Sequence, residues 1–337
     1  MAVTIKQIAE VSGVSRGTVD RVLNHRGSVN IDTAKKVMEY ANLLGYTPNI
    51  AGKALAARKK GYVIGVVLNS IGNPFFDVML EKIEEKKAEY EHYGIKIIVK
   101  QMRGYNALEQ LRLLEEIEHD ISALMITPID DVCIKNHIDR ISEEGVAVVT
   151  VNTDIPSSKR MCYIGTDYYR GGMIAAGLVS LLKPTGASIG VVHGSRKMFG
   201  HNERYRGFEE LVIQKKCRII DVIESEDDDI RAYELTKAML ERHTQIDTVF
   251  VVAAGVTGVC RAIDVSDRAL TVITFDQVDA TVELLKADKI KATISQQPRE
   301  QVQKALDFIF EYLVAEKTPK KDCYYIQNQI KIKENYI

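Results

Sequence analysis

The sequence predicts a small all-α head followed by a larger α/β body, and three observations support this prediction. The first 46 residues contain three short segments that have helix caps and apolar residues at helical spacing. From residue 62 onward, short apolar segments alternate with amphipathic ones, which is typical of parallel sheets covered by helices on both faces. The charge divides as well: ten basic and four acidic residues give residues 1–60 a net charge of +6, and 35 basic and 42 acidic residues give the rest −7.

The composition is that of a folded protein that stays in water. The chain has 337 residues, of which 46% are hydrophobic and 27% charged, so more than one domain is expected and disorder is excluded. No apolar run approaches the roughly 18 residues of a membrane span, and the first residues do not form a signal peptide. We therefore expect a cytoplasmic protein without membrane contact. The five cysteines are widely spaced, which predicts reduced thiols, and neither a metal nor a cofactor is expected.

The head begins with two short helices joined by a tight turn. Thr4 and Gln7 have the spacing of a capping box at the start of the first helix. Gly13 permits the turn, and Ser15 caps a second helix over Arg16–Leu23. The apolar face of the first helix consists of Ile5, Ile8, Ala9 and Val11.

A third helix follows, and the three together predict a helix-turn-helix. Asn30 caps the start of this helix and Gly45 ends it. Its buried side consists of Val37, Tyr40, Ala41 and Leu44. In a helix-turn-helix, the N-terminal residues of the second helix enter the major groove of DNA. Helix trios with caps are common, so the geometry alone leaves open both a DNA-binding module and a helix trio whose charges are only solvated. The basic charge of the head is typical of nucleic-acid binding.

The residues of the head closely resemble one family. Thr4-Ile5-Lys6-Gln7-Ile8-Ala9, residues 13–24 and residues 44–49 match, in order and without gaps, the head of the LacI/GalR family of bacterial transcription regulators. The resemblance implies that residues 1–46 bind DNA, with Arg16 and Gly17 facing base edges. The DNA-binding residues that it implies are Thr4, Ser15, Arg16, Gly17, Thr18, Asp20, Arg21, Asn24, Asn49 and Leu55.

Asp20 departs from the family pattern, which usually has Ser at this position. A carboxylate beside phosphates is repulsive unless it accepts a hydrogen bond from cytosine or pairs with Arg16 or Arg21. We therefore expect an unusual operator preference.

Residues 47–60 form the predicted linker. They are too rich in Ala for an extended loop and too short for an independent helix, which needs about 12–15 residues in water. In the resembled family, two such hinge helices pair in the minor groove, and a leucine at the place of Leu55 wedges between base pairs. The alternative for Leu55 is packing between two subunits.

The body contains seven predicted strands, at residues 62–68, 95–99, 123–126, 146–151, 189–192, 248–252 and 272–275, and its first helix spans residues 75–93. Residues 323–337 are expected to form terminal strands. Ligands of parallel sheets bind beyond the carboxyl ends of the strands. The polar and aromatic residues that follow these strands include Asn73, Phe75, Phe76, Asn152, Asp154, His193, Ser195, Asp276 and Gln296. Such groups suit a polyhydroxyl ligand, although each of them alone is also typical of an ordinary loop or core.

The body resembles the ribose-binding type of periplasmic sugar-binding protein, which is also the effector domain of the LacI/GalR family. The resemblance implies a periplasmic-binding-protein type 1 fold of two doubly wound parallel-sheet lobes within residues 61–337. We expect an N-lobe of residues 61–163 and 292–321 and a C-lobe of residues 164–291 and 322–337. The implied effector-binding residues are Asn73, Phe75, Phe76, Asn152, Asp154, Asn202, Arg204, Asp276 and Gln296.

Two departures in the body bear on the ligand. Asn152-Thr153 stands where the family often has Asp-Arg, and Ala253-Ala254 where it usually has Asn-Asp. These changes remove sugar hydrogen bonds, so a polyol, an inositol-like ring and a modified sugar all stay open as effectors. The acidic run at residues 226–229 is interpreted as a solvated loop.

The two resemblances together imply a transcription regulator, a repressor, that acts as a homodimer on partly palindromic operator DNA and responds to a small sugar or polyol. No enzyme activity is expected, because no nucleophile elbow, phosphate-binding loop or dinucleotide fingerprint stands at a strand end. A sugar-transport receptor is the alternative that the body alone allows. The head and the missing signal peptide argue against it.

Overall fold

The computed structural model describes residues 3–23, 27–46 and 58–337. The chain divides into two compact units, Met1–Ala54 and Leu55–Ile337, here called the head and the body. Residues 47–57, which are most of the predicted linker, lie outside the described residues. In the described ranges, no helix has both the length and the apolar character needed to cross a bilayer.

The head consists of α1 (Ile5–Ser12), α2 (Arg16–Leu23) and α3 (Ile31–Leu43). The predicted capping box is confirmed, since the Gln7 amide donates to Thr4 Oγ1 at 3.3 Å and the Thr4 amide to Gln7 Oε1 at 2.8 Å. Ser15 Oγ accepts from the Thr18 amide at 3.1 Å and so caps α2. The turn between α1 and α2 passes through Gly13 at a φ of 68°, which glycine adopts without strain.

The apolar core of the head joins all three helices. Its buried members are Ile8, Ala9, Val19, Val22, Val37 and Ala41. Val11 was expected on this face, but that prediction is wrong because Val11 is 49% exposed. Ser12, four residues after Ile8, takes the buried position and donates its hydroxyl to the Ile8 carbonyl at 2.5 Å.

The body contains two six-stranded sheets. The first has the order β11-β5-β4-β3-β1-β2 and is parallel throughout. Its strands are β1 (Val63–Leu68), β2 (Lys96–Gln101), β3 (Ala123–Ile126), β4 (Ala147–Val151), β5 (Cys162–Thr166) and β11 (Cys323–Ile326). We call this sheet and its helices the first lobe.

The second sheet has the order β12-β10-β9-β8-β6-β7, and only its edge strand β12 is antiparallel. Its strands are β6 (Ala187–His193), β7 (Cys217–Glu224), β8 (Thr248–Val251), β9 (Thr271–Phe275), β10 (Ala292–Ser295) and β12 (Gln329–Lys331). This sheet and its helices form the second lobe. Strands β5, β7 and β10 are missing from the strands that the sequence predicted.

Helices cover both faces of each sheet. Those of the first lobe are α4 (Phe75–Glu91), α5 (Ala107–Glu115), α6 (Val132–Glu143) and α12 (Pro298–Ala315). Those of the second are α7 (Tyr168–Leu182), α8 (Phe199–Ile213), α9 (Asp229–Arg242), α10 (Val256–Val265) and α11 (Asp279–Lys286), and a 3₁₀ turn spans Lys333–Tyr336. Because alternate strand residues point to opposite faces, Val249 packs in one apolar cluster of the second lobe and Phe250 in the other.

The chain crosses between the lobes after Thr166, after Ser295 and after Ile326. The predicted lobe boundaries placed the crossings near residues 164, 291 and 321, and this must be corrected. Strand β10 belongs to the second lobe and pairs with β9, whereas β11 belongs to the first lobe and pairs with β5. A short apolar strand fits either sheet, so hydrophobicity alone does not tell which lobe it joins.

Helices α7 and α8 approach each other through glycines. A Cβ added to Gly172 would lie 1.9 Å from the Arg204 carbonyl oxygen, and one added to Gly207 would lie 2.0 Å from the Tyr169 carbonyl oxygen. The two backbones are therefore in direct contact, and this contact fixes the position of α8 on the sheet.

Gly172→Ala and Gly177→Ala test this contact as a matched pair within α7. Gly172→Ala is expected to lower the free energy of unfolding by about 1–3 kcal/mol, because the two helices must separate. A Cβ at Gly177 meets nothing within 4 Å, so Gly177→Ala is expected to raise it by about 0.5–1 kcal/mol through helix propensity. Urea unfolding measures both values, and equal effects of the two changes would contradict the close approach.

Candidate functional site

A cavity of about 30 Å³ lies between the lobes at the carboxyl ends of both sheets. It is much smaller than the roughly 300–1,000 Å³ of ordinary ligand pockets, so the lobes are closed on each other. Of the predicted effector-binding residues it brings together seven: Asn73, Phe75, Phe76, Asn152, Arg204, Asp276 and Gln296. An adjoining depression of about 240 Å³ shares Asn73, Phe75 and Asp276 with the cavity.

Arg204, on α8, is the largest charged group of the cavity wall, and only 1% of it is exposed. Its Nη1 donates to the Val252 carbonyl, and its guanidinium carbon lies 3.6 Å from the centre of the Phe275 ring. Burial lowers the pKa of Arg204, and the charge of Asp276 opposes this shift. The Arg204 Nε has no hydrogen-bond partner, which leaves one buried donor for a ligand.

Asp276 follows β9 and is held in place by Gln296. Gln296 Nε2 donates to Asp276 Oδ1 at 2.6 Å, and Gln296 Oε1 accepts from Thr166 Oγ1 at 3.2 Å. Burial raises the pKa of the Asp276 carboxyl, and Arg204 and the bond from Gln296 lower it. Thr166 and Gln296 both adjoin crossings, so this chain of bonds links the carboxylate that lines the cavity to the connections between the lobes.

Asp227 also lines the cavity, and the sequence analysis missed it. Residues 226–229 were interpreted as a solvated loop, which is wrong for Asp227 because its side chain is only 7% exposed. Its Oδ2 accepts from Tyr105 Oη, and its Oδ1 accepts from the Ala254 amide at 3.2 Å. The signal was available: Asp227 follows the end of β7, as the other polar residues follow their strands. Strand β7 was not among the predicted strands, however, so Asp227 did not stand out as a residue that follows a strand.

Six other residues complete the wall without having been predicted as effector-binding: Tyr105, Tyr168, Met198, His201, Ala253 and Ala254. Tyr168 donates to Asn152 Oδ1 at 2.7 Å and so engages the amide that was expected to face the ligand. His201 Nδ1 accepts from the Ser195 amide at 3.0 Å, and burial, with the nearby Arg204, lowers the pKa of His201 to about 3. This imidazole is therefore neutral at physiological pH.

Two predicted effector-binding residues do not line the cavity, and these predictions are corrected. Asp154 pairs with Arg160 through two bonds of 2.5 and 2.6 Å, and it accepts a third from Thr150 Oγ1 at 2.6 Å. Its acceptor positions are thus used within the first lobe. Asn202 lies on α8, but its amide donates to the Arg196 carbonyl at 2.7 Å instead of reaching the cavity.

Direct contacts hold the lobes together around the cavity. The bond from Tyr105 to Asp227 joins the loop after β2 to the loop after β7. The Asp130 amide donates to the Lys197 carbonyl at 3.2 Å, and the Gly200 amide donates to Thr153 Oγ1 at 3.4 Å. Opening the cleft must break these hydrogen bonds. A ligand that enters must therefore form hydrogen bonds of its own that compensate for their loss.

Apart from Thr4, which caps α1, the predicted DNA-binding residues of the head that the structure describes lie on or beside α2. Arg16, Gly17 and Arg21 are exposed, whereas Thr18 and Asp20 are half-buried. Arg21 Nε donates to the Gly17 carbonyl at 3.2 Å, which orients its guanidinium along the helix. Thr4 and Ser15 act as N-caps of α1 and α2. The predictions for Asn24, Asn49 and Leu55 lie outside the described residues.

Two family models match the chain. The model for the periplasmic binding protein domain matches residues 64–317, and the model for the bacterial regulatory proteins of the lacI family matches residues 4–49. The first match covers most of the body and the second most of the head. Together they agree with the two resemblances seen in the sequence.

Named relatives include both binding proteins and regulators. The ribose import binding protein RbsB of Bacillus subtilis is 27% identical over 252 residues, which are 74% of this chain and 81% of that protein. The ribose operon repressor of Halalkalibacterium halodurans is 27% identical over 261 residues, covering 75% of this chain and 73% of the repressor. Among solved structures, GanP, a glucose-galactose binding protein from Geobacillus stearothermophilus, has a TM-score of 0.76 at 24% identity and covers 82% of this chain and 99% of its own. This likeness confirms the predicted fold of the body.

His193, at the end of β6, is expected to make stability fall in acid. It is 1% exposed, both ring nitrogens lack hydrogen-bond partners, and burial lowers its pKa to about 4. The unfolded chain therefore takes up the proton first, near pH 6.5, and this term lowers the free energy of unfolding by about 2 kcal/mol between pH 7 and pH 5. His193→Gln should lose less stability over this range when urea unfolding is measured at each pH.

The matched control is His119→Gln, because the His119 side chain is 86% exposed. This variant should follow the wild-type pH dependence. A His193→Gln variant with an unchanged pH dependence would show that the buried imidazole does not resist protonation.

Proposed function

Because the chain belongs to the lacI family of bacterial regulatory proteins, it is a DNA-binding transcription regulator, and we propose that it is a repressor controlled by a sugar or polyol in the cleft of its body. It acts in the cytoplasm as a homodimer on a partly palindromic operator, whose half-sites mirror the twofold axis of the protein. Residues 1–46 bind DNA, residues 47–60 form the hinge, and residues 61–337 bind the effector and the second subunit.

The proposal for DNA rests on the exposed N-terminal half of α2. An arginine at the start of a recognition helix can make a bidentate contact to guanine, and Arg16 stands there with its side chain in water. Gly17 leaves room beside it for a base edge. Arg21, one turn later, reaches phosphate or base, and Asn24, Asn49 and Leu55 extend the contact along the duplex.

The observation that carries the effector proposal is the meeting of Arg204, Asp276 and Gln296 with Phe75 and Phe76 in one cavity between the lobes. The carboxylate accepts from hydroxyl groups, the guanidinium donates to them, and the rings cover the C–H face of a sugar. The names of two relatives, a ribose import binding protein and a ribose operon repressor, support the same ligand class. Ala253 and Ala254 lack side-chain hydrogen-bonding groups, which favours a polyol, an inositol-like ring or a modified sugar over a common aldose.

The effector acts by changing the balance between open and closed lobes. Closure moves the first lobes of the two subunits and thereby the hinges that join them to the heads. The coupling is reciprocal: DNA must change the affinity for the effector by the same factor by which the effector changes the affinity for DNA, typically through 1–3 kcal/mol.

Arg16→Ala is expected to weaken binding to DNA from upstream of the gene by about 10–100-fold, because a bidentate guanine contact contributes about 1–3 kcal/mol of discrimination. Binding to a scrambled duplex should change little. Fluorescence anisotropy at several salt concentrations measures both, with a slope near −0.9 per phosphate contacted. Lys6→Ala removes an exposed charge from α1 and should lower the affinity for both duplexes equally. If Arg16→Ala lowered the affinity for both duplexes equally, base recognition by this head would be contradicted. Affinity that is insensitive to salt would contradict DNA binding itself.

Asp276→Asn keeps the shape of the side chain and removes its charge, and it is expected to weaken effector binding by about 10–100-fold. A thermal-shift panel of sugars and polyols finds the effector, since a ligand at 100 times its Kd adds about 2.7 kcal/mol to stability. Asn202→Ala is the matched control, because Asn202 bonds outside the cavity. Unchanged binding in Asp276→Asn would place the effector elsewhere.

A further inference from the structure

The cavity contains a carboxylate beyond the set that the family resemblance implies. Asp227 and Asp276 both line it, one after β7 and the other after β9. Their charges interact, since Asp227 contributes to the raised pKa of Asp276 after the larger effect of burial. Two carboxylates thus share the space in front of Arg204.

Asp227 lies where the chain has lost other polar groups. The side chains of Ala253 and Ala254 offer no hydrogen bond to a ligand, yet the Ala254 amide donates to Asp227 at 3.2 Å. The carboxylate therefore rests against the loop that departs from the family pattern. It supplies hydrogen-bond acceptors at the place where alanine supplies none.

The cavity wall carries more negative than positive charge. Among the described residues that line the cavity, the two carboxylates face one cation, Arg204, because His201 is neutral. Arg204 is 1% exposed, and its Nε is aimed at no protein acceptor. The wall thus offers one buried hydrogen-bond donor and two carboxylate acceptors to a ligand. The positive charge of Arg204 is already balanced by Asp227 and Asp276, so the wall has no further positive charge to pair with an anionic ligand.

We propose that Asp227 binds the effector directly and, together with Asp276, restricts it to polyhydroxy compounds that carry no negative charge. A hydroxyl group of the ligand replaces the Tyr105 hydroxyl as a donor to Asp227 when the lobes open and close around it. A phosphate or carboxylate on the ligand would lie in a desolvated space beside two like charges, which is strongly unfavourable. The inference rests on the proposed effector function and specifies the ligand class of that same site.

The experiment compares matched ligands on the full-length protein by thermal shift and calorimetry. The neutral or amine-bearing probes are ribose, glucose, galactose, glucosamine and myo-inositol, and the anionic ones are ribose 5-phosphate, glucose 6-phosphate, galacturonate and inositol 1-phosphate. The wild type should bind at least one of the former, and bind it at least 10-fold more tightly than its anionic counterpart. Asp227→Asn should weaken that binding at least 10-fold and reduce the discrimination against the anion.

Tyr105→Phe separates ligand binding from a merely structural contact. It removes the phenol that bonds to Asp227 across the cleft but keeps the carboxylate. It should therefore retain the discrimination against anions, whereas Asp227→Asn loses it. Identical behaviour of the two variants would assign Asp227 to lobe closure alone and overturn the inference.

The remaining outcomes distinguish this inference from the effector proposal. Tighter binding of a phosphate or uronate than of its parent compound by the wild type overturns the inference, and this readout needs no variant that must fold. Sugar binding that depends on Asp276 but not on Asp227 overturns it while the effector proposal stands. If none of the probes binds, the sugar or polyol proposal fails and this inference fails with it.

Discussion

The guanidinium of Arg204, held away from water between two lobes, is the interaction on which the cleft depends. A buried charge is costly unless hydrogen bonds and opposite charges compensate it, and the surrounding structure supplies both. The Val252 carbonyl accepts from Nη1, the Phe275 ring lies against the flat face, and Asp276 provides the opposing charge. Strands β8 and β9 place these groups, so the register of the second sheet determines the geometry of the cavity wall.

The closed state of the cleft uses the same kinds of group that a ligand would offer. A phenol from the first lobe donates to Asp227, and Thr153 accepts from the amide of Gly200. These bonds hold the lobes together around a cavity of about 30 Å³, which by itself is too small for a sugar. An effector in this cleft would compete with contacts between the lobes as well as with water. The difference in free energy between its own bonds and the interlobe bonds that it replaces would determine how far it shifts the balance between the open and the closed cleft.

Sequence patterns predicted the parts of this protein that depend on local chemistry. The capping box of Thr4 and Gln7, and the strands that end before Asn152 and Asp276, follow from rules that act over a few residues. The wrong predictions concern features that depend on contacts between residues far apart in the sequence. Asp154 was expected at the cleft, but Arg160 pairs with it. The strand before Asp227 carries three charged residues among its eight, which fits the position of β7 at a sheet edge. Hydrophobicity likewise did not assign β10 and β11 to their lobes.

The glycine contact between α7 and α8 has a mechanical consequence. Helix α7 begins at Tyr168, two residues after the first crossing, and its backbone touches that of α8 at Gly172 and Gly207. The two helices must therefore turn as one body, and Arg204 turns with them. A displacement of Arg204 is therefore carried by backbone contact to the start of α7, beside the first connection between the lobes.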